Sequence, residues 1–256
     1  LPMQAVLRTR TTSETAGFMK ALVTPDDRIA GFAMLGADAP RTYFLMFTTP
    51  AEARGQGGFM GNYADAAALA EEVIQSQTRT LAGDFNSVFS EGLDSSEMIF
   101  MTHRHADSDL EDNNRKRYYS GRTGTTWLPD LMAGDPREEF TYSGSAVLKV
   151  NNEESFRPTY YLRLAEMYLI KAEALARLED FEGSKAALDV IRLRAGLEAS
   201  TATTLEELKE DIFKEIVREL VFENGSEWFA AIWFDKIMDL KPTVTSEDQY
   251  ILPIPE

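Results

Sequence analysis

Residues 163–196 read RLAEMYLIKAEALARLEDFEGSKAALDVIRLRAG, a helical stretch, a short acidic turn and a second helical stretch closed by Gly196. Leu162, Ala165, Leu169, Ala172 and Ala176 recur at three- and four-residue steps, the period of one buried helical face. Three of those five are alanines, which let a partner helix approach closely. Arg163, Glu166, Lys171, Glu173 and Arg177 fall on the polar face, with Glu173 and Arg177 in the favourable i,i+4 order. The second stretch repeats the pattern through Phe181, Ser184, Ala187, Leu188 and Ile191. The spacing predicts an antiparallel helical hairpin of the kind stacked in tetratricopeptide arrays. Such a unit builds a surface and specifies no chemistry.

Working outward, GNYADAAALAEEVI (61–74) places Tyr63, Ala66, Ala67, Ala70 and Val73 or Ile74 on one side and echoes DFEGSKAALDVI (180–191), a weak internal repeat. Downstream, Thr203 or Thr204 caps a helix with Glu206 or Glu207 reaching back, and Leu208, Ile212, Ile216 and Leu220 form its buried stripe. Asn224 and Gly225 end that helix. Ser226 opens another, whose Trp228, Phe229, Ile232, Trp233, Ile237 and Leu240 are too apolar to face water on most sides, and Lys241–Pro242 stops it. Both tryptophans there read as core. SSEMIFMT (95–102) and AVLKV (146–150) read as short strands. Between them, Thr102 to Phe140 is polar, rich in turn residues and without a sustained period, and a connection of that length usually carries function or disorder.

The expected architecture is therefore mostly α: tetratricopeptide-like hairpins with long loops and a few short strands. Residues 1–60, where Pro40, Pro50 and a glycine run interrupt the apolar patches, stand apart from a helical-repeat domain over 61–256 that carries a loop-rich insertion at about 102–140.

Composition narrows the function. The 42 acidic against 26 basic residues give a net charge of -16, which repels phosphate backbones and anionic lipid, so the charge argues against nucleic acid and favours neutral ligands or basic partners. Without cysteine there is no thiolate metal site and no cysteine nucleophile. No stretch reaches the ~18–20 apolar residues of a spanning helix. Leu1 is not an initiator methionine, so an upstream signal or further sequence is expected ahead of it. No G-x-S-x-G elbow, phosphate loop or H-E-x-x-H occurs, which argues against an enzyme.

In the 102–140 segment, Trp127, Tyr118, Tyr119, Arg104, Asn113, Asn114 and Arg122 are the candidate ligand-binding residues. Flat aromatic faces suit pyranose C–H surfaces, and planar amides and guanidinium groups suit pairs of hydroxyls. Trp127 has a second reading, as a loop anchor packed on the domain with Leu128 and Leu131. His103 and His105 alternate near Asp107, Asp109 and Asp112 without a recognised ligand spacing, so no metal site is expected.

The order and spacing of RLAEMYLIKAEAL, IRLRAGL, ELVFENG and the terminal PIP, preceded by FNSVFSEGLDSSEMIF and GDPR (134–137), resemble the SusD/RagB family, glycan-capturing lipoproteins of the Bacteroidetes outer membrane. The resemblance implies a SusD-like fold and non-catalytic binding of a neutral oligosaccharide or polysaccharide without a cofactor. It further implies handover to a SusC-like TonB-dependent transporter, and exposure at the cell surface through an N-terminal lipid that this sequence does not contain. Three features depart from the family: its members are usually about twice as long, residues 1–58 do not resemble its first helices, and Trp233 stands where an arginine is common. A helical-repeat module that binds protein and has no sugar affinity is the alternative reading. Retention on immobilised sugar separates the two.

Overall fold

The computed structural model describes residues 63–102, 127–152 and 158–250. Helices dominate these residues, as expected. They are α1 (Tyr63–Gln75), α2 (Phe85–Glu91), α3 (Trp127–Met132), α4 (Glu138–Thr141), α5 (Leu164–Arg177), α6 (Phe181–Arg194), α7 (Leu205–Leu220), α8 (Ser226–Trp233) and α9 (Ile237–Leu240). Strand β1 (Met98–Thr102) pairs antiparallel with β4 (Thr159–Arg163), and β2 (Tyr142–Ser143) pairs with β3 (Ala146–Val147) as a tight hairpin.

The α5–α6 hairpin buries Ala165, Leu169, Ala172 and Ala176 against Ser184, Ala187, Leu188 and Ile191, the faces read from the spacing. Its turn has a precise chemical requirement. Glu179 takes a left-handed conformation (φ 63°), and the Asp180 carboxylate caps α6 by accepting from the Gly183 amide at 3.0 Å. A Cβ on Gly183 would lie 2.5 Å from that carboxylate, so a larger residue there would make the Asp180 side chain shift. At the far end, Gly196 (φ 78°) donates to Leu193 O while the Leu197 amide donates to Arg192 O, the paired bonds of a Schellman stop.

Helix α1 packs on α5 through Ala66, Ala67 and Ala174, and a Lys171–Glu71 ion pair at 2.6 Å flanks the contact. Helix α7 carries the reciprocal capping box between Thr204 and Glu207 and buries Leu208, Ile212, Ile216 and Leu220 in the main core. That core also takes Leu128 and Met132 from α3 and Ala230, Ala231 and Ile232 from α8.

Several local expectations are corrected. Residues 226–240 form two helices, because Asp235 enters the left-handed region (φ 55°) and the Lys236 amide closes a Schellman stop on Ala231 O at 2.7 Å. Phe229 and Met238 face solvent there, so the apolar run is not buried all round. Leu162 lies in β4 and is half-buried, since the strand runs to Arg163 before α5 starts. Arg163 and Glu173, assigned to a polar face, are buried, each with an ionic partner. Of AVLKV, only Ala146 and Val147 are strand, and Lys149 and Val150 turn inward. Within the segment read as irregular, α3 and α4 are short helices of six and four residues, too brief to show a period.

A second, aromatic core lies beside the first. Phe85, Phe89 and Tyr160 meet edge-on in series, each pair of centroids 5.1 Å apart, with Val88, Met98, Val147 and Val150 around them. No helix among the described residues is long and apolar enough to cross a membrane.

Candidate functional site

The segment 103–126 leaves the described structure at Thr102 and returns at Trp127, so its two anchor points can be built from the residues up. Thr102 ends β1 and is held opposite Thr159 of β4. Trp127 opens α3, half-buried and packed against the main core. Arg218 of α7 fixes the other end of α3 by donating from Nε and Nη2 to Leu131 O at 3.0 and 2.9 Å.

The GDPR turn then locks this region to the bundle. Gly134 (φ 78°) follows α3 in a conformation that disfavours side chains. The Asp135 carboxylate accepts from Nε and Nη2 of Arg137 at 2.9 and 2.7 Å, a bidentate pair across Pro136. The remaining Arg137 nitrogen, Nη1, reaches Glu215 and Glu219 of α7, both at 2.7 Å. Arg137 is only 1% exposed.

Glu219 is the hub. Its Oε2 accepts from Arg137, and its Oε1 accepts from Arg163 Nη1 at 2.6 Å and from Arg194 Nη2. Arg163 also binds Glu97 at 2.6 Å and Glu223 at 2.9 Å. The ammonium of Lys149 donates to Glu219 O at 2.8 Å and pairs with Glu223 at 2.9 Å. On its other side this charged seam rests on the aromatic core, with Lys149 5.2 Å from the Phe85 centroid and Arg163 5.7 Å from that of Phe89.

Burial alone would raise the Glu219 pKa, but Arg194, Arg163 and Arg137 outweigh it and hold the carboxyl well below its ordinary range. For Lys149, burial wins and lowers the pKa despite Glu223. Burial and the neighbouring Glu223 push Glu166 up to about 7, while Arg163 and the side chains of Asn224 and Ser226 pull it down. The seam is structural: each of its cations meets carboxylates, and its chemistry is register, joining β1, β4, the GDPR turn, α6 and α7.

On the surface beside the GDPR turn, a shallow groove of about 480 Å³ is lined by Gly134, Asp135, Pro136, Glu138, Glu139, Tyr142 and Gly144. The Tyr142 hydroxyl donates to Glu138 at 2.9 Å, and burial together with that carboxylate pushes the phenol up to about 12. The groove offers acceptors and a hydroxyl, and no cation lines it.

Of the candidate residues, Trp127 has a described position, and its packing against the core supports the anchor part of its double reading. Tyr118, Tyr119, Arg104, Asn113, Asn114 and Arg122 lie outside the described residues, as do His103 and His105. The described residues contain no cluster of three or more His, Asp or Glu arranged to hold a metal. Sequence reasoning missed the groove, and it missed an exposed aromatic pair, Phe100 and Tyr161, on β1 and β4. The alternation at YYL (160–162), which sends Tyr160 inward and its neighbour outward, was the available signal.

Helical hairpins of tetratricopeptide type, with fixed residues on both sides of 103–126, define a helical scaffold. The SusD family model matches residues 104–230, and the chain belongs to that SusD/RagB family. Among solved structures, a SusD superfamily protein from Bacteroides vulgatus is similar at a TM-score of 0.58 and 21% identity, over 73% of this chain and 51% of that one. A laminarin-binding SusD-like protein gives 0.58 and 21%, over 75% and 56%. A SusD homolog from Bacteroides thetaiotaomicron gives 0.54 and 19%, over 73% and 49%. At these identities the likeness establishes the fold, and the chain spans about half the length of these relatives. No curated protein matches the chain.

Proposed function

We propose that this chain binds a neutral oligosaccharide or polysaccharide without cleaving it, through the 103–126 segment and Trp127, and that the intact protein passes the glycan to a SusC-like TonB-dependent transporter. The observation that carries this reading is the pairing of a segment rich in tyrosine, asparagine and arginine with anchors that cannot drift: Thr102 in the β1–β4 ladder, and Trp127 on an α3 clamped to α7 by Arg218 and Arg137. Loops on a rigid scaffold are where binding residues concentrate. Family membership supports it, as does the shared fold of a protein described as laminarin-binding. The acidic balance of the chain favours neutral sugars over uronates or sulfated chains. In this reading the protein sits at the outer surface of the outer membrane, held by an N-terminal lipid.

The test is retention on a panel of immobilised neutral and acidic polysaccharides, competed with free sugar. Tyr118→Ala, Tyr119→Ala and Trp127→Ala should each weaken binding, the last about tenfold, equivalent to ~1.4 kcal/mol. Because Trp127 also packs on the core, the tyrosine variants separate binding from folding. Steady release of new reducing ends from a bound glycan would refute the non-catalytic part.

The protein-binding alternative has one observation in its favour, the apolar outer face of α6, where Val190 and Leu193 are 36% and 58% exposed. Co-purification of a barrel or peptide partner, with no retention on any sugar, would select it.

A further inference from the structure

The outer face of the β1–β4 ladder carries two aromatic rings in a protein that buries most of the others nearby. Phe100 and Tyr161 are 37% and 40% exposed, while Met98 and Tyr160, on the same strands, are sunk in the aromatic core. The two rings stack across the strands with centroids 5.4 Å apart and planes 30° apart. The ladder shifts register on either side of Phe100, which opposes Leu162, and that irregularity brings Phe100 beside Tyr161. The platform is fixed from behind, because the exposed amide of Asn224 donates to Tyr161 O at 2.8 Å. The Tyr161 hydroxyl has no hydrogen-bond partner among the described residues.

We infer that Phe100 and Tyr161, flanked by Asn224, form a second carbohydrate contact that takes one neutral sugar unit of the same glycan chain held by the 103–126 segment. The inference rests on the carbohydrate reading above. Three observations select the occupant. Two aromatic residues that are 37% and 40% exposed match the scale of one pyranose face and fall far below the ~800 Å² per partner of a stable protein interface. The polar neighbour is the exposed side chain of Asn224, an amide that suits hydroxyl groups and gives a polyanion no charge to pair with. Finally, Phe100 lies two residues before Thr102, the last described residue ahead of 103–126, so only a short stretch of chain separates the two contacts in sequence.

A second contact acts on long chains and not on short ones, since a short oligosaccharide occupies one site at a time. The experiment compares the intact chain with Phe100→Thr/Tyr161→Thr and with Tyr161→Thr alone, threonine being chosen because it keeps strand propensity. The probes are laminarin, starch, xylan and mannan in affinity gels, and the trisaccharide of whichever is retained. The expected result is a threefold to tenfold loss of polysaccharide affinity for the double variant and a smaller loss for the single one, with trisaccharide binding unchanged. Full polysaccharide affinity in a folded double variant, or in Tyr161→Thr if the double variant does not fold, overturns the second contact and leaves the carbohydrate reading standing. Equal loss for polysaccharide and trisaccharide also overturns it, by placing the rings in the primary site. If the unaltered chain is retained by none of the four polysaccharides, the carbohydrate reading falls and this inference with it.

Discussion

Glu219→Gln isolates the charged seam, because it changes one atom and one charge at the point where three arginines converge. In the folded chain Oε1 is shared by Arg163 and Arg194 and Oε2 is taken by Arg137 at 2.7 Å. A glutamine keeps one acceptor oxygen. Whichever way the amide turns, its NH2 group faces at least one guanidinium donor at a distance fit for an acceptor. The cost is that of breaking a buried ion pair by removing one partner, ~3–5 kcal/mol, and the three pairs do not add because they share a site. Against a typical total of ~5–15 kcal/mol, that is a large fraction. With a urea dependence of ~2–3 kcal/mol per molar, the unfolding midpoint should fall by about 1–2 M at pH 7. Tryptophan fluorescence and circular dichroism should report it together. Glu206→Gln on the solvent side of the same helix should change stability by less than ~0.5 kcal/mol. The penalty also has a pH signature. The folded Glu219 pKa lies below its ordinary 4.5, so its contribution is complete above that value and is lost as pH falls through the folded pKa. The gap between the unaltered chain and the variant should therefore narrow only in strong acid. A loss below ~1 kcal/mol at neutral pH would refute the view that the seam holds the GDPR turn, β4 and α6 in register.

Three further outcomes are expected. Leu169→Ala, at a fully buried contact of α5 in the main core, should cost ~2–5 kcal/mol, and an unmoved urea midpoint would contradict the packing of that helix. Thr204→Ala removes the side-chain half of the α7 capping box and should cost ~1 kcal/mol, read as a small drop in thermal midpoint. Glu166 is pushed up to about 7 by burial and Glu223, against the pull of Arg163, Asn224 and Ser226. Between pH 4.5 and 7 the folded state keeps a proton the unfolded state has lost, so stability declines as pH rises through that window. Glu166→Gln should flatten that decline and be more stable than the parent at pH 8 by on the order of 3 kcal/mol; an unchanged slope from urea melts across that pH range would discount it.

The helical hairpin was legible because its determinants are local. Alternation of alanine and leucine at helical spacing and the closing Gly196 act over a few residues of chain, as does the threonine three residues before a glutamate that opens α7. Corrections cluster where local and tertiary demands diverge. Asp235 broke a helix that its apolar content favoured, since one left-handed residue suffices to stop it. The candidate site was legible only as composition, because Tyr118, Tyr119, Asn113 and their neighbours show no period that fixes their directions.

The seam was hidden for a different reason. Arg163 and Glu173 were placed on a polar face because charge ordinarily means solvent, and that inference uses one residue at a time. Burial of Arg163 depends on Glu97, Glu219 and Glu223, which lie 66, 56 and 60 residues away in sequence. A trace of it was nonetheless present in α7. Its core stripe runs through Leu208 and Ile212, and the next steps at that spacing reach Glu215 or Ile216 and Glu219 or Leu220. Two glutamates four residues apart on the edge of a buried stripe require cationic partners, because an unpaired carboxylate there would cost several kcal/mol. Arginine supplies them better than lysine, since one guanidinium can satisfy carboxylates on separate elements at once, as Arg137 does for Asp135, Glu215 and Glu219. The same geometry explains why the polar segment can be long without loosening the fold: its return point is fixed by a turn whose arginine is tied into the centre of the helical bundle.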